Sequence, residues 1–190
     1  MFARALCLAW AAATLAACGA DAPPAGAVAL SDAFSFEPRL VASDGREIGP
    51  EDFEGRPSIV YFGFANCPDV CPTALGRLSA ALDELGPETD LAAWFVTVDP
   101  ERDTPDALAA YLAFDDRITG LSGDPDAVAA VTRGMNVYSA RVELADSALG
   151  YTMDHSSLFY LIDRSGTPVY ALRDAMAPAD LAAAVGALLD

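Results

Sequence analysis

The stretch Ser58-Ile59-Val60-Tyr61-Phe62-Gly63-Phe64 runs almost directly into Cys67-Pro68-Asp69-Val70-Cys71-Pro72, and this junction constrains the fold more than any other part of the chain. A continuous apolar run of that length, without polar alternation, suits a strand covered on both faces. Leu75, Leu78, Leu82 and Leu85 then recur at spacings of three and four and stop at Gly86-Pro87, which predicts an amphipathic helix. Buried strand, loop and helix in that order begin an α/β sheet. The two cysteines therefore sit beyond the carboxyl end of a central strand, where open sheets gather their reactive groups.

The other segments extend the pattern. Residues 38–49 read as a small hairpin turning at Asp44-Gly45, and a second strand follows at about Leu91 to Val98. Thr104-Pro105 opens a helix through about Asp115, with Leu108, Tyr111 and Leu112 inward, and Asp124-Pro125 opens another that stops at Gly134. The last third carries strands at Val137 to Leu144, Ser157 to Asp163 and Pro168 to Leu172, with a turn at Arg164-Ser165-Gly166, and closes with a helix from Pro178 to Leu189. Strands joined through a helix pair in parallel, and the late hairpin adds antiparallel strands. The expected fold class is α/β: a mixed sheet flanked by helices, with an N-terminal hairpin, in one domain over residues 34–190.

The first residues, MFARALCLAWAAATLAAC, place one Arg before an apolar run from Ala5 to Ala17, shorter than the roughly 20 residues that span a bilayer. Residues 1–17 read as an export signal. Leu15-Ala16-Ala17-Cys18 resembles the lipobox of bacterial lipoproteins, so Cys18 is expected to carry lipid, and residues 18–33 to form the lipidated cysteine and a flexible Ala/Gly/Pro tether. This places the protein in the bacterial cell envelope, held by lipid and facing the periplasm. Of the four cysteines, Cys7 leaves with the leader and Cys18 goes to lipid. Cys67 and Cys71 remain, and outside the cytoplasm such a pair is a disulfide, a redox dithiol or a metal site.

Composition narrows the functional classes. With 28 acidic and 11 basic side chains, all of the latter Arg, the formal charge of −17 excludes a nucleic-acid partner. A single histidine excludes two-Cys two-His zinc sites and multi-histidine copper or iron sites. Three residues between the cysteines permit a disulfide, a redox pair or joint metal binding, and spacing alone does not separate these. Pro72 disfavours helical geometry at Cys71 and predicts Cys71 as the helix N-cap, where free N–H groups lower a thiol pKa. His155, in Met153-Asp154-His155-Ser156-Ser157, precedes a strand that brings it to the cysteines if that strand runs beside the central one. Two thiolates and one imidazole suit Cu(I) and leave zinc one ligand short unless Asp69 or Asp154 supplies oxygen. Asp154 is also a candidate to orient the imidazole.

YFGFANCPDVCPTAL, VDPERDTP and MDHSSLFYLIDRSG, in this order, resemble the Sco/SenC family from about Phe36 to Leu189. The resemblance implies a thioredoxin-like domain that binds copper, as Cu(I) and also Cu(II), through Cys67, Cys71 and His155. It implies a metallochaperone that delivers copper to the dinuclear centre of cytochrome c oxidase. The alternative is a thiol–disulfide oxidoreductase that reduces the cysteines of the apo-oxidase subunit, with Cys67 attacking. Partners under these readings are the copper-receiving oxidase subunit, other copper chaperones and a thioredoxin-like reductant. Asp99 and Asp103 match a carboxylate pair of the family, with an implied role in tuning the site or docking a partner. The chain departs from the family in having Ala65 where Thr or Ser is common, and lipid where many members have a transmembrane helix.

Overall fold

The computed structural model describes residues 23–145 and 147–189. Residues 1–17, read above as an export signal, and Cys18 lie outside the described residues. Among the described residues ten strands and four α-helices follow in chain order: β1 (Ala27–Ala29), β2 (Leu40–Ala42), β3 (Glu47–Ile48), β4 (Ser58–Gly63), α1 (Val70–Leu85), β5 (Ala92–Thr97), α2 (Pro105–Tyr111), β6 (Ile118–Ser122), α3 (Pro125–Gly134), β7 (Ser139–Glu143), β8 (Tyr151–His155), β9 (Leu158–Ile162), β10 (Pro168–Arg173) and α4 (Pro178–Leu189), with a single 3-10 turn at Pro50–Phe53. No helix among the described residues is long and apolar enough to cross a membrane.

Eight strands form one mixed sheet in the order β1-β10-β9-β4-β5-β6-β2-β3. Its centre is parallel, β4 with β5 and β5 with β6, because α1 and α2 carry the chain back between them. Every residue of β4 and of β5 is buried, as a strand without polar alternation requires. Each large side chain so covered contributes roughly 1.5–3 kcal/mol. The pairing that matters most is antiparallel: β9 lies beside β4, with Tyr61 opposite Phe159, so the start of β9 stands next to the carboxyl end of β4. The expected N-terminal hairpin forms as β2 and β3 and joins the sheet through β6. The late hairpin forms as β9 and β10.

Outside the cysteine loop the structure departs from the sequence reading at four places. The span read as tether is docked from Ala27, since β1 pairs with β10 and the Leu30 amide donates to the Val169 carbonyl. β6 escaped the pattern because it is short and carries Gly120 at its middle; a Cβ there would stand 2.8 Å from Leu108 Cβ, so the glycine admits α2 against the strand. The helix opened by Pro105 ends at Tyr111, not near Asp115: the Asp115 carboxylate is held outside it by the Ser79 hydroxyl and the Arg117 guanidinium. Met153, Asp154 and His155, which the sequence places only ahead of a strand, belong to a strand of their own, β8, which pairs with β7 in a separate two-stranded sheet.

Gly63, the last residue of β4, is packed between neighbours. A Cβ there would lie 2.8 Å from Phe95 Cε2 and 2.9 Å from Cys71 Sγ. Replacing a strand glycine ordinarily returns roughly 0.5–1 kcal/mol, whereas overpacking costs about 1–3 kcal/mol. Gly63→Ala is therefore expected to be destabilising on balance, measured as a lowered urea midpoint with unchanged slope.

Candidate metal centre

α1 begins at Val70, with Asp69 in the cap position, so Cys71 is the second residue of the helix and not its N-cap. Pro72 is tolerated there because the first-turn amides have no partner within the helix. The apolar stripe explains what the proline signal did not. Cys71, Leu75, Leu78 and Leu82 share one face, and all are buried. Cys67 precedes the helix and is half-buried. The Cys71 amide, a first-turn donor with no partner inside the helix, donates to Cys67 Sγ at 3.3 Å, so the helix start serves Cys67. Burial pushes the Cys71 thiol well above its ordinary range, the reverse of the lowering expected at an N-cap.

His155 ends β8 and reaches the cysteines across 84 residues of chain, with Nε2 3.5 Å from Cys71 Sγ. Its Nδ1 lies 3.0 Å from the Ser156 carbonyl oxygen. A carbonyl only accepts, so Nδ1 carries the proton and Nε2 turns its lone pair to the sulfur. Burial lowers the imidazole pKa, which favours this neutral form. Phe64 and Tyr61 stand edge-on to the ring, with centroids at 5.8 Å and 6.3 Å. The ligand atoms of Cys67, Cys71 and His155 all lie within 4.8 Å of one another, and neither Asp69 nor Asp154 belongs to the group. Two sulfurs and a deprotonated imidazole nitrogen are a soft three-donor set, which fits a monovalent thiophilic ion better than zinc. Both cysteines are free thiols.

The SCO1/SenC family model matches residues 28–190. The chain belongs to the SCO1/SenC family. It is 40% identical over 150 residues to the mitochondrial protein SCO2 of Saccharomyces cerevisiae, covering 77% of this chain and 48% of that one. With an SCO2-like protein of Rickettsia felis it shares 38% identity over 129 residues, covering 67% of this chain and 63% of the other. It spans 42% of the mitochondrial SCO1 homolog 1 of Arabidopsis thaliana. The copper-bound structure of Bradyrhizobium japonicum ScoI superposes with a TM-score of 0.76 at 37% identity, covering 82% of this chain and 99% of that one. The thioredoxin-like fold expected from the sequence is thus the fold observed.

In this SCO1/SenC protein Asp99 and Asp103, both buried, act on the supports of the site and stand outside the donor group. Asp103, fully buried, accepts from the Ala65 amide at 2.9 Å and the Thr97 hydroxyl at 2.7 Å. It thereby clamps the chain two residues before Cys67. Asp99 accepts from the Tyr151 hydroxyl at 2.8 Å and from Arg102. Arg102 and Arg141 each place a guanidinium 3.7 Å from the Tyr151 ring centroid, and Arg102 donates to the Tyr151 carbonyl. Since Tyr151 begins the strand that ends at His155, this cluster seats the histidine-bearing hairpin on the loop after β5. Asp154 is exposed, and the imidazole's Nδ1 partner is the Ser156 carbonyl. Met153 packs half-buried against the core. Sequence reasoning missed Tyr151 and Arg102, whose roles depend on contacts between distant segments, and Ser156, whose backbone carbonyl carries no sequence signature. The Arg102 position within VDPERDTP was the one available hint.

Burial pushes the Asp103 carboxyl above its ordinary value of 3.8, against the pull of Thr97 and Ala65. An acid whose pKa is raised on folding binds its proton more tightly in the folded chain, so the folded state loses stability as pH climbs from 3.8 through the raised pKa. The stability of Asp103→Asn relative to the parent is therefore expected to increase across that window and level off above it, as read from urea unfolding over a pH series. A pH-independent difference would show that the carboxyl is not perturbed.

Proposed function

We propose that this SCO1/SenC protein is a copper metallochaperone of the bacterial envelope, held to the membrane by lipid on Cys18 and facing the periplasm, that serves assembly of the dinuclear copper centre of cytochrome c oxidase. One observation carries the metal assignment: the two sulfurs and Nε2 of His155 converge within 4.8 Å, with the imidazole already in the tautomer a metal ligand needs. Copper bound in the related ScoI of Bradyrhizobium japonicum supports it. Thiolate and imidazole donors hold Cu(I), and the nitrogen lets the same set accept Cu(II). Beside the donors lies a cleft of about 230 Å³ lined by Phe64, Cys67, Pro68, Asp69, Val70 and residues of β8 up to His155. Cys67 borders this cleft while Cys71 is covered, so ligand exchange with a partner's thiolates begins at Cys67. The oxidase subunit that receives copper is the proposed partner.

A second reading, reduction of the partner's cysteines, is favoured by the asymmetry of the thiols. Cys67 is half-exposed and accepts the Cys71 amide. It is placed to attack a disulfide, and Cys71, in the first turn behind it, is placed to resolve the mixed disulfide.

The reduced protein is expected to take up about one copper ion per chain, measured by titration with metal analysis. Cys67→Ser and Cys71→Ser should each abolish tight binding, and His155→Ala should weaken it by more than about tenfold, the loss that even an outer hydrogen-bond partner of a ligand produces. Unchanged affinity in His155→Ala would remove the histidine from the ligand set. Disulfide exchange that survives His155→Ala but fails in either cysteine variant would favour reduction over delivery.

A further inference from the structure

We infer that Tyr61, Ser157 and Asp174 are positioning residues for the His155 imidazole, locking the corner after β8 to the strand that leads into the cysteine loop. The inference rests on the reading of His155 as a metal ligand. Ser157 Oγ lies 2.7 Å from Asp174 Oδ2 and 2.8 Å from the Tyr61 hydroxyl. An ionised carboxylate only accepts, so Ser157 donates to Asp174 and its oxygen accepts from Tyr61. The chain of donors thus runs one way, from a fully buried phenol in β4, through the turn between β8 and β9, to a half-buried carboxylate after β10. The Arg77 guanidinium in α1 also donates to the Asp174 carbonyl, so the helix that carries Cys71 is tied to the same point.

The need for such a lock follows from the topology. His155 belongs to the two-stranded sheet of β7 and β8, whereas the cysteine loop is anchored in the eight-stranded sheet. The main-sheet pairing between β9 and β4 begins only at Phe159 opposite Tyr61. Residues 155–157 are therefore the corner where one sheet hands over to the other. The imidazole takes its orientation from this corner, because Nδ1–H is held by the Ser156 carbonyl. On the hairpin side, Ser156 is bound to Tyr138 through both its amide and its hydroxyl. On the main-sheet side, the Ser157 hydroxyl makes the connection, and it makes it to Tyr61, six residues ahead of Cys67 in the strand that positions the loop. The Tyr61 ring also stands edge-on to the imidazole. Both halves of the donor set are thereby referred to one side chain.

The test uses Tyr61→Phe, which keeps the ring in the core and removes the hydroxyl, together with Ser157→Ala, the conservative Ser157→Thr, and His155→Ala as reference. His155 is the chain's one histidine, so its ring nitrogens give an unambiguous long-range ¹H–¹⁵N signal. In metal-free protein at about pH 8, above the imidazole's titration, the parent and Ser157→Thr are expected to show a single Nδ1–H tautomer. Tyr61→Phe and Ser157→Ala are expected to show exchange between both tautomers. Copper affinity should fall about tenfold in each of these two variants, by no more in the double variant because one linkage is lost in all three, and should be restored in Ser157→Thr. Parent-like imidazole signals and affinity in folded Tyr61→Phe would overturn the role, and this variant leaves no buried hydroxyl stranded. Equal copper affinity in the parent and His155→Ala would overturn the ligand reading, and this role with it.

Discussion

The antiparallel pairing of β9 with β4 is the contact on which the site depends. Tyr61 opposite Phe159 sets the amino end of one strand against the carboxyl end of the other. Residues just before β9 and just after β4 then share one edge of the fold. A shift of one residue would turn every side chain of β9 to the opposite face, and burial of Phe159, Tyr160, Leu161 and Ile162 on both faces makes such a shift costly. The metal donors inherit their proximity from that hydrophobic register. They contribute little to it themselves, since unpaired thiols and a neutral imidazole offer no strong mutual attraction.

Around this register the protein uses polar groups as struts. Asp103 fixes the approach to Cys67, Asp99 seats the turn end of the hairpin through Tyr151, and Ser157 joins the open end of the hairpin to β4. Each strut carries its load through a carboxylate or hydroxyl oxygen that donors meet, as the low local dielectric favours. The arrangement separates two tasks. Apolar packing decides which elements lie together, and short polar contacts then adjust the few residues whose orientation matters for binding. The half-exposed Cys67 and buried Cys71 follow from the same division: one precedes the helix, the other sits on its apolar face.

Much of this was legible before any coordinates. The unbroken apolar run of β4, the leucine stripe of α1 and the proline-opened helices each satisfy a local rule, and local rules are read in windows of a few residues. Elements without a local signature were lost. β6 contains Gly120 and two hydroxyl residues in its five positions, and it is a strand because α2 and β5 cover it. β8 alternates weakly and carries no clear strand signal, and its partner β7 is exposed along most of its length. At Cys71 two local signals competed. The proline suggested a cap, while the apolar periodicity carried one turn further back placed the sulfur in the core, and packing followed the periodicity.

The sequence by itself determined the kinds of donor available, two thiols and one imidazole, and the strand and helix that carry the thiols, because these are matters of residue type and short-range spacing. Only the tertiary structure decided that His155 faces Cys71 through Nε2, that Asp99 and Asp103 hold supports and stand outside the donor group, and that Cys67 receives the helix amide. The first two depend on contacts between segments tens of residues apart, and the third on where packing starts the helix. Such contacts are selected by the burial of whole strands, and no single stretch of the chain encodes them.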